Sequence, residues 1–266
     1  MTILFKHGVP TLSKILVGAL AIVSLLVFLL KLQAKRADPD VVFGDLLVPV
    51  LQLIPRTTIL HPWVLFTAIF AETHVILFLL SGIYLTLSLK YVERFWGPRE
   101  TIVCVVVIGL ITNLWAVIVT IITNIARGDS LSMDKPLGGG ISYYFAFLVV
   151  FKQLIPEHNL LLFHGLLNFI ITHLPFVFLC VVLVWSLFVT RLLYQAVPSF
   201  ASFFTSYLYL RFYQIVVLDP LLPVTTANGS SSEGMLVTGD ASEAFKLKEF
   251  FPSRIQLILA PVFDQI

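Results

Sequence analysis

Ser142 follows three consecutive glycines, Gly138-Gly139-Gly140, and is the one serine in the apolar run that they open. Such a serine could act as an acyl-transfer nucleophile if a histidine base and oxyanion donors converged on it. The six histidines are His7, His61, His74, His158, His164 and His173, so the last apolar run, 200–217, has no base to offer. His158 falls at the wrong end of the run that carries Ser142, and Tyr143 stands where a second glycine would leave space. Ser142 is therefore read as a packing residue. No two histidines stand at i, i+4 spacing, so no metal site is expected. No P-loop or GxGxxG is present, and no bound cofactor is expected.

Two acids lie at the edges of one apolar stretch, Glu72 at its start and Glu93 at its exit. A carboxylate in hydrocarbon is costly, so each needs a reason to be there. For Glu72 the expectation is hydrogen bonds accepted from loop backbone or a threonine hydroxyl. For Glu93-Arg94 it is an ion pair, or a cap on the helix that follows.

The elements that must hold these groups are membrane helices. Of 266 residues 58% are hydrophobic and 12% charged, about half the charge of a soluble domain. The net charge of +2 argues against a nucleic-acid partner or a polybasic grip on lipid. Cys104 and Cys180 sit in apolar runs and behave as small hydrophobes.

Six spans are expected: 15–30 flanked by Lys14 and Lys31, then 67–91, 100–125, 137–155, 170–190 and 200–217. The segment 41–54, punctuated by Gly44, Asp45, Pro49 and Gln52, is too short to span and is read as an embedded loop after helix one. The chain divides into a membrane domain, 1–219, and a tail, 220–266, that begins polar and Gly/Ser-rich and is expected to be largely disordered. Within the tail FKLKEFFP, 245–252, is an apolar-basic island that could dock on the membrane or on a partner. Lysines and arginines divide evenly between the two faces, and only Lys246, Lys248 and Arg254 tilt the termini towards the cytosol.

The order of elements resembles the rhomboid superfamily: one helix, an embedded loop with Trp63, a helix leaving through Glu93…Gly97, and a Gly-rich fourth helix. More closely, the chain resembles the transmembrane protein 115 family. The matching residues are His61-Pro62-Trp63, Glu72-Thr73, Glu93-Arg94-Phe95-Trp96-Gly97, Lys152-Gln153 with Pro156, Tyr209, Arg211 and Tyr213, and Phe250-Phe251-Pro252.

The resemblance implies an all-α, six-helix rhomboid-like bundle in Golgi membranes (the ER is second choice), with both termini cytosolic. It also implies a part in Golgi-to-ER retrograde transport and no proteolysis. Active rhomboids carry a His-x-x-x-Asn pair on helix two, and here Phe78 follows His74. Where they place histidine on helix six, this chain has Ser206, Tyr207 and Tyr209. The function expected is a non-catalytic scaffold or adaptor. Its partners would be membrane lipids, transmembrane clients and, through the tail, cytosolic trafficking or tethering factors, with homo-oligomerisation a further option. The alternatives are an intramembrane serine protease using Ser142, or a small-molecule transporter.

Overall fold

A computed structural model describes residues 10–128, 133–137, 139–155, 159–162, 167–170, 173–190, 196–218, 235–242, 245–252 and 255–256. Gly138, Pro156, His158 and His164 lie outside them, as do most residues of the tail.

Helix α1 runs from Thr11 to Ala37. Its buried positions, Leu12, Leu16, Leu20, Ser24, Val27 and Lys31, recur every three or four residues and form one stripe. The opposite face carries exposed Ile15, Ile22, Leu25 and Leu29. A helix apolar on both faces, with one of them bare, is built for lipid. The chain then descends through two single-turn helices, α2 (Pro55–Thr58) and α3 (Val64–Thr67), and a 3-10 turn, Ala68–Phe70.

Helix α4, Val75–Arg127, is two rods. Gly97 at φ 79 breaks it, a left-handed conformation that costs a side-chain-bearing residue about 1–2 kcal/mol. Pro98 then starts the second rod, where its missing N–H has no partner to lose. We label 75–96 α4a and 98–127 α4b. The expected second helix began at 67; the structure starts it eight residues later. Ala71 and His74 are extended (ψ 95 and 134), which lets Glu72 reach other elements rather than its own turn.

Helix α5, Ile141–Leu154, follows Gly139 at φ 79. It starts later than the expected 137, because Leu137 instead donates its N–H to Leu53 O (2.7 Å). Fourteen residues rise about 21 Å, short of a hydrocarbon core of about 30 Å. Ser142, Tyr143, the run 145–150 and Lys152 are all buried, so α5 is the centre of the bundle, packed against α4, α6 and α7.

Helix α6 (Leu174–Trp185) continues as a π-turn to Thr190, and α7 (Val197–Leu208) as a π-turn to Tyr213. Ser199, Ser202 and Ser206 face inward on α7, and Ser202 Oγ donates to Ser142 O (2.5 Å). Small side chains here let α7 approach α5 closely. Two short antiparallel pairs complete the described structure. β1 (Asn159–Leu162) pairs with β2 (Leu167–Ile170) before α6, and β3 (Ile215–Leu218) with β4 (Met235–Thr238). The expected sixth helix reached 217; β3 takes its last residues because Gln214 leaves helical geometry at ψ 134.

The β3–β4 pair returns the chain to the bundle. Arg211 Nη1 donates to Asp240 O (2.5 Å) and Ser242 O (3.1 Å). Phe245 and Phe250 then insert between α5, α6 and α7, where they are 2% and 0% exposed. FKLKEFFP is thus a core element of the bundle. Among the described residues two helices, Thr11–Ala37 and Val75–Ala126, are long and apolar enough to cross a membrane; Ile141–Leu154 and Leu174–Phe188 are shorter apolar helices.

Candidate functional site

The start of α5 is where an acyl-transfer site would be built, and Glu72 occupies it. Its Oε1 accepts from Gly140 N (2.9 Å) and from Ser81 Oγ (2.7 Å), while its own N–H donates to Ser24 Oγ (3.1 Å). Ser24 Oγ in turn donates to Phe70 O (3.0 Å). One residue thereby joins α1, the embedded loop, α4a and α5. Ser81 also shares a hydrogen bond with Tyr144, and Tyr84 Oη donates to Tyr144 O (2.9 Å). The hydroxyl on the carboxylate is a serine's, two turns into α4a, rather than a threonine's.

Gly140 is required by this contact. A Cβ there would sit 2.6 Å from Glu72 Oε1 and 2.5 Å from Tyr143 Oη. Gly140→Ala is expected to cost about 1–3 kcal/mol through overpacking and loss of the Glu72 bond. The check is the midpoint of thermal unfolding in detergent; an unchanged midpoint contradicts the assignment.

The N-terminus of α5 offers its amide to a carboxylate that the fold supplies, so the donor an oxyanion would need is already taken. Ser142 Oγ is buried and makes no hydrogen bond to any described residue. His61, His74 and His173, the described histidines, therefore do not reach it. Its neighbour across the helix interface is Ser202. Among the described residues no group of three metal-binding side chains exists.

Glu93 is used differently from expectation. Its carboxylate accepts from Ser13 Oγ (2.7 Å), Ser13 N (3.0 Å) and Leu12 N (3.3 Å), so it caps α1 from the far end of α4a. Pro10 at the N-cap offers no side-chain acceptor, which leaves those first-turn amides in need of one. Arg94 is exposed, and no described ion pair joins it to Glu93. Glu93 thus ties the N-terminus of α1 to the far end of α4a, and Glu72 ties the middle of α1, at Ser24, to Ser81 of α4a.

The remaining motif residues fall into two groups. Trp63 is half exposed; its indole N–H donates to Val50 O (3.1 Å) and its ring meets His61 edge-on, fastening the embedded loop to itself. Thr67 and Asn113 add bonds to Leu51 O (3.3 Å) and Leu65 O (2.8 Å), and Arg56 pairs with Asp134 (2.5 Å). Pro62 is exposed beside them, and Trp96 is partly buried at the α4a exit.

The second group lies at the far end of α5. Lys152 is buried with no hydrogen-bond partner among the described residues, and its Nζ sits 3.3 Å from the centroid of Phe250. Gln153 Nε2 donates to Gln214 Oε1 (2.9 Å), and Tyr209 Oη to Glu100 Oε2 (3.3 Å). Phe251 packs on Phe176 (5.0 Å), and Pro252 O accepts from Gln256 N (3.1 Å). Tyr213 is largely exposed.

Between α4a and α6 lies a cleft of about 680 Å³ that sequence reasoning did not anticipate. α5 forms its floor with Ile141, Tyr144 and Leu148; Leu80 and Tyr84 form one wall, Phe178 and Trp185 the other. Leu77, Leu80, Phe178 and Trp185 are 42–58% exposed, so the cleft opens sideways where lipid would stand. Its lining is almost wholly apolar, a signal that periodicity cannot separate from ordinary lipid-facing surface.

These features define an integral membrane protein with a rhomboid-like helical bundle. The chain belongs to the family described as eukaryotic integral membrane protein (DUF1751), which matches residues 14–266. It is 27% identical over 237 residues to "Transmembrane protein 115 homolog" of Saccharomyces cerevisiae, covering 86% of this chain and 68% of that protein. It is also 27% identical over 219 residues to "Rhomboid-like protein 19" of Arabidopsis thaliana, covering 82% of this chain and 64% of that protein. No solved structure matches it.

Proposed function

We propose that this protein is a non-catalytic rhomboid-like scaffold of Golgi membranes that binds transmembrane segments of client proteins during Golgi-to-ER retrograde transport. The cleft between α4a and α6 carries the client-binding part. It is apolar and open at the side, which suits the leucine-rich face of a passing helix. The short α5 beneath it supports the idea that the bilayer thins locally around the bundle, which lowers the cost of receiving a helix of mismatched length.

The non-catalytic part draws on Glu72 at the α5 N-terminus and on the unpartnered Ser142. Six spans, cytosolic termini and the Golgi setting extend the resemblance to the transmembrane protein 115 family. Cytosolic trafficking or tethering factors would meet the outward side of the C-terminal element, where Lys248 is exposed, since Phe245 and Phe250 face the core.

The test uses a photoreactive amino acid in place of Leu80 in tagged protein expressed in cells that lack the endogenous copy. Crosslinks to membrane proteins with single spans, recovered equally from wild type and Ser142→Ala, are the expected result. Reaction of Ser142 with a fluorophosphonate, or loss of Golgi-to-ER transport in Ser142→Ala alone, would overturn the reading in favour of a protease.

A further inference from the structure

We propose that a small polar cavity at the end of the cleft is a port that reads a hydroxyl or carboxamide side chain near the end of a client's transmembrane helix. The inference rests on the client-binding reading of the cleft and names the class of client it selects.

The cavity, about 90 Å³, lies among Gln52, Glu72, Thr73 and Gly139. Leu77, Pro136 and Leu137 line both it and the cleft, so the two spaces adjoin. Two polar atoms in its walls are unspent. Gln52 is 2% exposed; its Oε1 holds Val48 N (2.8 Å), but its Nε2 has no partner among the described residues. Glu72 takes both of its hydrogen bonds on Oε1, and Oε2 accepts none from a described residue.

A buried donor without a partner is costly, and Glu72 Oε2, lining the same cavity, is an acceptor with capacity to spare. A group that both donates and accepts satisfies the pair: the side chains of Asn, Gln, Ser and Thr do so. An ammonium would serve Glu72 and leave Gln52 unpaired, and a carboxylate would be repelled by Glu72. An all-apolar helix fills the cleft but leaves the port as it was. The port therefore adds selectivity to a cleft that on its own accepts almost any greasy segment.

The full chain would be reconstituted in phosphatidylcholine nanodiscs with a photoreactive residue at Val182, on the cleft wall. Four single-span leucine-alanine helices of ~20 residues are the probes. One carries only Leu and Ala, two carry Asn near one or the other end, and one carries Lys at the better of those ends. One Asn helix is expected to label about five-fold more strongly than the apolar helix. Gln52→Leu removes the free donor without adding a charge beside Glu72, and brings that ratio close to one. The apolar helix is the internal reference in each variant, so a loss of folding registers as loss of all labelling and is distinguished from a change in ratio.

Equal labelling by the Asn and apolar helices in wild type overturns the port and leaves the cleft intact. Strongest labelling by the Lys helix overturns the assigned side-chain class. No labelling by any helix, with lipid adducts only, overturns the client-binding reading and the port with it.

Discussion

Phe250→Ala is expected to lower the melting temperature of the purified protein by about 10 °C, the largest effect of any single change in the C-terminal region. Phe250 is completely buried and meets Phe203, Tyr207 and Phe245 ring to ring at 5.4–5.7 Å. Truncating a core phenylalanine costs about 3–5 kcal/mol. Here the loss is compounded, because the ring is also the contact of the buried Lys152 ammonium at 3.3 Å. A desolvated cation on an aromatic face is worth about 2 kcal/mol, and without the ring Lys152 keeps only the attraction of the Glu249 carboxylate, with which it makes no described ion pair.

The measurement can use Cys104, which is 2% exposed and reacts with a maleimide dye only on unfolding, in a Cys180→Ser background. Lys152→Met separates the two contributions. Replacing a buried charge with an apolar residue of similar length is neutral or stabilising, so Lys152→Met should partly rescue Phe250→Ala. A melting temperature unchanged by Phe250→Ala would mean that 245–252 is not a core element.

Glu72→Ala is the second large expectation, a loss of about 2–4 kcal/mol, against less than about 1 kcal/mol for Glu72→Gln. Alanine strands the buried Gly140 amide, leaves the Ser81 hydroxyl with Tyr144 alone, and opens a hole between α4a and α5. Glutamine keeps an acceptor oxygen in place for both. The same dye assay checks the pair. Equal losses for both substitutions would show that the negative charge itself, and not the acceptor, holds α5, and would make electrostatic attraction to the helix N-terminus the dominant effect.

Much of the architecture was legible in the residues. A break was expected between the spans 67–91 and 100–125, and the structure places it at Gly97, with Pro98 starting the next rod. The membrane character follows from long runs with few charges, and the deep burial of α5 agrees with its near-continuous apolar sequence. The site was less legible. Glu72 and Glu93 draw attention as acids in an apolar stretch, but their partners do not. Ser13 lies 80 positions from Glu93, and Gly140 lies 68 from Glu72. Gln52 looks like punctuation in a loop until Glu72 is placed beside the same cavity.

By itself the sequence determined that the chain lives in a bilayer, that two spans part between 91 and 100, and which family its motifs resemble, since these depend on local chemistry and residue order. Only the tertiary structure decided that Glu93 caps α1 rather than the helix after it, and that Glu72 fills the amide of the serine-bearing helix. It also decided that FKLKEFFP turns inward. The physical reason is common to all three. A buried carboxylate, amide, ammonium or phenyl ring takes whichever partner the packing brings within reach, and packing joins positions that are far apart in the chain.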